Sequence, residues 1–206
     1  MGRYRMGFLA MRVLVACEYS GTVRDAFRAL GHDAWSCDLL PTDREGPHYQ
    51  GDVFDVIGQN WDLMIAHPPC TYLCSSGLHW NKRRPERELE TQNALAFVQR
   101  LMDAPIARIA IENPIGRIGT AIRKADQVIH PYQFGHDASK QTALWLKGLP
   151  LLSPTQLVAP RMVAGKARWA NQTDSGQNRL SPSPDRWKLR STTYQGIADA
   201  MADQWG

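Results

Sequence analysis

Apolar residues fall in short, dense runs separated by polar turns, and these runs alternate with stretches of helical period. Residues 12–17 (Arg-Val-Leu-Val-Ala-Cys) make a β-branched run of the kind that forms a central parallel strand. The turn Glu18-Tyr19-Ser20-Gly21 follows. Val23, Ala26, Phe27 and Leu30 then recur at helical spacing until Gly31 supplies the stop. Residues 33–38 read as a second strand, which completes a βαβ unit. A weaker third strand precedes Asp52, and residues 62–66 form a fourth that runs into His67-Pro68-Pro69-Cys70. Residues 85–102 predict the clearest helix: Pro85 in its first turn, acidic residues early, then Leu95, Val98 and Met102 on one face. Residues 107–111 predict a fifth strand, ending at Glu112-Asn113-Pro114. Residues 128–134 and 142–146 read as late strands, of antiparallel type. Strands alternating with helices predict an α/β fold with a doubly wound, mostly parallel sheet.

This core spans residues 11–150. Residues 1–10 read as a dispensable N-terminal leader, because the first buried strand opens at Met11. Beyond residue 150 the pattern dissolves into Pro, Ser, Gln, Asn and Arg. Residues 151–206 are therefore expected to be a loop-rich basic segment and a closing helix packed on the same domain. Ile197, Ala200 and Met201 lie on one face of that helix, predicted over residues 192–205.

A chain of 206 residues with 43% hydrophobic and 21% charged positions suits one globular domain. Its 16 glycines and 13 prolines are too few for a low-complexity chain, which excludes wholesale disorder. No apolar run approaches the roughly 20 residues of a membrane span, so no membrane partner is expected. Four cysteines without a regular framework predict free thiols in a reducing, cytoplasmic compartment. The net charge of +4 admits a polyanionic partner without demanding one. Such a partner would meet the basic run at Lys82, Arg83 and Arg84, or Arg179, Arg186, Lys188 and Arg190 near the C-terminus.

In open α/β sheets, ligands bind beyond the carboxyl ends of the strands. Here every strand end carries polar or turn residues. A tight turn entering a helix, followed by Asp38 at about the 20-residue spacing of a ribose-binding acid, suits a nucleoside. The Gly-rich phosphate loop is absent, and Glu18 would repel a pyrophosphate, so a nucleoside ligand without phosphates fits better. Pro68 and Pro69 restrict the backbone ahead of Cys70, whose thiol could serve as a covalent nucleophile once deprotonated. A carboxylate directly after an apolar strand, as at Glu112, is costly in a pocket unless it is paired or used. Taken singly, these features have ordinary readings as a solvated acid or a rigid loop with an incidental thiol.

Taken together, their order resembles the DNA cytosine-5 methyltransferase family. The resemblance lies in Glu18–Gly21, Asp38, Gly51-Asp52-Val53, Pro69-Cys70 and Glu112-Asn113, over residues 12–149, and is closest to the short members encoded by phages and prophages. It implies a Rossmann-like fold of the S-adenosylmethionine-dependent methyltransferase type, in a bacterial or phage-infected cell. It implies S-adenosylmethionine as cofactor, with Glu18, Tyr19, Ser20, Gly21, Asp38, Leu39, Asp52, Val53 and Pro68 around it. Asp38 would hold the ribose, and Asp52 with Val53 the adenine. Cys70 would attack carbon 6 of cytosine, and Glu112 would contact ring nitrogen 3 and the exocyclic amine. Pro69, Asn113, Arg117, Lys82, Arg83 and Arg84 would meet the substrate. In duplex DNA the cytosine must be flipped out of the stack. The chain departs from the family pattern at Thr71, at Pro114 and in its single glycine in the first motif. A Gln-x-Arg-x-Arg motif is missing, with Lys140-Gln141 a poor substitute. There is no room for a large target-recognition domain, so specificity must be low, carried by residues 151–190, or supplied by a protein partner or oligomer. DNA is the expected partner; RNA or a free nucleotide is the alternative.

Three other readings compete. An amine-directed methyltransferase carries a Pro-Pro motif at the same strand end, where His67 and Cys70 replace the usual flanking residues. A non-catalytic nucleic-acid-binding protein on a decayed methyltransferase fold would explain the altered first motif. His67, Cys70, Cys74 and His79 have tolerable zinc spacing but lack the deaminase H-x-E signature, and no metal is expected.

Overall fold

The computed structural model describes residues 9–78, 80–81, 83–184 and 186–206. Most of the expected leader, together with Lys82 and His79, lies outside the described residues. The elements follow in the order β1 (Arg12–Ala16), α1 (Thr22–Ala29), β2 (Asp33–Asp38), β3 (His48–Gln50), β4 (Leu63–Ala66), α2 (Ser75–Leu78) and α3 (Glu86–Met102). Then come β5 (Arg108–Asn113), α4 (Arg117–Ala121), β6 (Gln127–Ile129), β7 (Thr142–Lys147), β8 (Arg161–Val163), β9 (Lys166–Arg168), α5 (Arg186–Ser191) and α6 (Gln195–Trp205).

Seven strands form one sheet in the order β3-β2-β1-β4-β5-β7-β6. Strands β1 to β5 pair in parallel, and β7 runs antiparallel between β5 and β6. This is the expected doubly wound, mostly parallel α/β sheet. The alternation within β1 explains its central place: Val13 and Val15 enter one core layer, Leu14 and Ala16 the other. Helices α1 and α6 cover the first face through Val23, Phe27, Ile197 and Met201. Helix α3 covers the second through Leu95, Val98 and Leu101. The chain order reverses between β1 and β4, and such a switch point opens a crevice at the carboxyl ends of the strands.

Three boundaries differ from the sequence expectation. The strand expected over residues 128–134 stops at Ile129, because Pro131 opens a 3-10 turn through Gln133. Strand β5 runs on to Asn113, so Glu112 sits inside the ladder opposite Leu144 rather than after it. The region expected to be loops contains the β8–β9 hairpin and α5. Several arginines there brace the chain: Arg161 pairs with Asp174 at 2.6 Å, and Arg179 donates to the Gln172 carbonyl at 2.8 Å.

Helix α6 begins against the turn at Phe134. A Cβ on Gly196 would stand 1.9 Å from the Phe134 carbonyl oxygen. Gly196→Ala is therefore expected to destabilise the protein by about 1–3 kcal/mol through overpacking. Thermal unfolding should show the melting temperature lower by roughly 2–4 °C per kcal/mol; an unchanged value would mean that the two segments separate freely.

Candidate active site

The turn after β1 is built by its own side chains. Cys17 and Gly21 take left-handed backbone, at φ 58° and 71°. The Glu18 carboxylate accepts the Val23 N–H at 2.7 Å, the Arg24 N–H at 3.2 Å and the Ser20 hydroxyl at 3.0 Å. It thus occupies the positive end of α1, where a ligand phosphate would otherwise bind. Arg24 is fully buried behind this turn. Its guanidinium donates to Asp25, Ser36 and Thr42 and to the carbonyls of Arg44 and Glu45, tying down the loop that follows β2.

Two pockets open at the crevice and share Cys17, Pro68 and Pro69 as a common wall. The first is apolar, lined by Leu39, Val53, Tyr72, Ala94 and Phe97, with Asp38 and Asp52 on its rim. Its cavity volume of about 270 Å³ lies just under the roughly 300–1,000 Å³ of drug-sized ligand sites, which suits a nucleoside portion better than a larger ligand. Burial pushes the Asp38 carboxyl up; the Leu40 N–H, which donates to it at 3.0 Å, and the nearby His48 oppose the rise. Asp52 spends one oxygen on the Phe54 N–H at 3.0 Å and so caps the short turn at Val53. The residues fit a nucleoside: apolar walls for a base, carboxylates for hydroxyl and amino groups, and no free site for phosphate. Ala94 and Phe97 were absent from the sequence reading, because they come from a helix that pattern alone leaves unconnected to the strand ends.

The second pocket carries more polar side chains than the first. Glu18, Tyr19, Ser20, His67, Cys70, Glu112, Asn113, Lys140 and residues 190–193 line it. Cys70 and Glu112 thus come together from the ends of the neighbouring strands β4 and β5. The Nδ1 of His67 lies 2.9 Å from Glu112 Oε2, with both side chains about nine-tenths buried. Burial pushes the Glu112 carboxyl up, but the hydrogen bond to His67 and the charge of Lys140 outweigh it and hold the group below its ordinary value. Asn113 donates to the Pro68 carbonyl at 2.6 Å, which locks the two strand ends together. Tyr19 bonds Ser191 at 2.9 Å and packs near Trp187, which draws α5 over the cleft.

Burial raises the Cys70 thiol above its ordinary value, with Cys74 and Glu112 adding to the rise and Lys140 opposing it. The thiol is therefore protonated near neutral pH, and thiolate accumulates only as pH climbs past the usual thiol range. Alkylation of Cys70 by iodoacetamide is expected to rise about tenfold per pH unit through that range. Mass spectrometry of the Cys70 peptide checks this; a rate already flat at pH 7 would contradict it.

Not all expected contacts converge. Arg117 starts α4, pairs with Glu88 at 3.7 Å and lines neither pocket. Arg83 and Arg84 stack near Trp80, at 5.3 and 5.6 Å from its ring centre, outside both pockets. Lys140 and His67 belong to the cleft, although the sequence offered one only as a poor substitute and the other only in rival readings. His67 pairs with a residue 45 positions away, which no local signal announces. Among the described residues no three His, Cys, Asp or Glu side chains are grouped to hold a metal, and no helix is long and apolar enough to cross a membrane.

No protein-family model matches the chain, and no curated protein matches it. Many solved structures are similar in fold, among them two methyltransferases. One is a methyltransferase of Entamoeba histolytica, EhMeth, with a TM-score of 0.49 and 13% identity, covering 74% of this chain and 59% of that one. The other is described as a DNA modification methyltransferase encoded within an Escherichia coli prophage, with a TM-score of 0.43 and 14% identity, covering 76% of this chain and 54% of that one. The chain thus spans little more than half the length of each, and neither likeness bears on substrate or mechanism.

Proposed function

We propose that this chain is an S-adenosylmethionine-dependent methyltransferase acting on carbon 5 of cytosine in DNA, through a covalent adduct on Cys70. The observation that carries the reading is the shared wall. Pro68 and Pro69 separate a nucleoside-sized apolar pocket from a more polar cleft that holds a thiol and an anchored carboxylate. Asp38 and Asp52 would hold the sugar and base of the cofactor, and Glu18, already spent on α1, accounts for a cofactor without phosphates. The bound cofactor supplies an electrophilic methyl group.

The protein's own residues account for the remaining steps. Cys70 gives up its thiol proton to solvent and adds as thiolate to carbon 6, and the displaced ring electron pair makes carbon 5 nucleophilic. Glu112, anchored by His67 and ionised, would accept a hydrogen bond from the exocyclic amine. Removal of the proton on carbon 5 then breaks the bond to sulfur and releases Cys70. The basic residues of the last 40 positions, with a protein partner or a second copy, would supply what target recognition there is.

The test is nucleoside mass spectrometry of DNA from a methylation-free bacterial host expressing the protein. The expected product is 5-methylcytosine. Methylated exocyclic amines would replace this reading by the amine-directed one, and modified RNA would move the substrate. Salt-sensitive DNA binding without any modified base or cofactor binding would favour the non-catalytic reading. Asp38→Ala is expected to weaken S-adenosylmethionine binding about tenfold or more by calorimetry, as one charge-assisted hydrogen bond is lost; an unchanged affinity would remove Asp38 from the cofactor site.

A further inference from the structure

His67 stands at the carboxyl end of β4 with its side chain one-tenth exposed. Its Nδ1 faces Glu112, which is held ionised and can only accept, so Nδ1 carries the shared proton. In the neutral ring the other nitrogen, Nε2, is then a bare acceptor. Nε2 is buried and has no hydrogen-bond partner among the described residues, although the ring lines the cleft with Cys70. Asn113 repeats the pattern. Its Nδ2 donates to the Pro68 carbonyl, which fixes the amide's orientation, and its Oδ1 is left buried without a partner. His67 and Asn113, two residues that line the cleft, thus each keep one buried acceptor unspent beside an anchored carboxylate, so that a ligand N–H in the cleft would have acceptors to meet. A wall of acceptors complements N–H groups and opposes carbonyl oxygens.

We propose that His67 reads the exocyclic amine of the target base through Nε2, so that the cleft takes an amino-bearing pyrimidine and rejects its oxo analogue. The inference rests on the reading of this cleft as a cytosine site. It makes His67 a specificity residue in addition to the anchor of Glu112. Sites built to bond a substrate N–H discriminate strongly against analogues lacking it, because their own polar groups are left unpaired.

The test uses oligo-deoxycytidine and oligo-deoxyuridine of equal length, so that backbone charge cancels. His67→Asn keeps a donor in the Nδ1 position for Glu112 and deletes Nε2. By fluorescence anisotropy the wild type is expected to prefer oligo-deoxycytidine by roughly 10- to 100-fold. In His67→Asn the preference is expected to fall to within about threefold, through weaker binding of cytosine. A merely structural role predicts that His67→Asn keeps the wild-type preference; that result, or no preference in the wild type, overturns the proposal. Nitrogen-15 NMR of the wild type gives a second readout that needs no variant. The Nε2 resonance is expected to move towards the hydrogen-bonded form with oligo-deoxycytidine and to stay with oligo-deoxyuridine; movement with both or neither overturns the proposal. The two readings fail separately. A cytosine preference lost in His67→Asn, without 5-methylcytosine in cells, defeats the methylation reading alone. Formation of 5-methylcytosine with the preference intact in His67→Asn defeats this inference alone.

Discussion

Cys70→Ala is expected to lower methyl transfer to cytosine by at least about 10⁴-fold, because the proposed adduct forms on this thiol and the other cysteine of the cleft, Cys17, is held protonated by its burial. Such a loss corresponds to roughly 5 kcal/mol of barrier, the scale on which removal of a covalent nucleophile is felt. Cofactor affinity should stay within about twofold, since Cys70 lines the polar cleft and not the apolar pocket. Single-turnover transfer from labelled S-adenosylmethionine, with calorimetry on the same preparation, measures both. A variant that keeps a tenth of the wild-type rate would exclude a covalent route through this thiol. A variant that loses the cofactor as well would show that the two pockets are not separate sites.

The second large effect falls on stability. Arg24→Met keeps much of the side chain's volume but removes the donors that meet Ser36, Thr42 and the carbonyls of Arg44 and Glu45. Breaking a buried charged network of this kind costs about 3–5 kcal/mol. At roughly 2–4 °C per kcal/mol, thermal unfolding should occur about 6–20 °C lower. The tied loop begins at Leu39, a wall of the apolar pocket, so S-adenosylmethionine binding should weaken too. A melting temperature within about 3 °C of the wild type would mean that the loop is held by other contacts, such as the Lys188–Asp43 pair at 2.7 Å.

Arg24 also shows where sequence reading ends. On the helical pattern of α1 it falls among polar positions and reads as solvated; its burial depends on carbonyls 20 residues further on. The central strands were legible because burial on both faces leaves nearly unbroken apolar runs, as in β1 and β4. The long helix α3 was legible from its first-turn Pro85 and its apolar face. The edge strand β3 and the β8–β9 hairpin carry few apolar residues, so their pairing leaves little trace in composition. For the candidate site, Asp38, Asp52, Pro68, Cys70 and Glu112 could be nominated because each lies at or just past the end of a recognisable strand. The His67–Glu112 contact could not, because it arises only when β4 and β5 lie side by side. Arg117 was nominated for a substrate contact, and in the fold its half-exposed guanidinium lies 3.7 Å from Glu88.

The shared Pro68–Pro69 wall has a thermodynamic consequence. Two proline rings leave that partition little freedom to adjust one face without the other. Any displacement made by an occupant of the apolar pocket is therefore presented to the occupant of the polar cleft. Linkage then requires reciprocity: the factor by which the first ligand changes affinity for the second equals the factor in the opposite direction. A tenfold coupling would be worth about 1.4 kcal/mol whichever ligand arrived first. On this account the order of arrival is a matter of rates, while the energy of the ternary complex belongs to the partition between the two pockets.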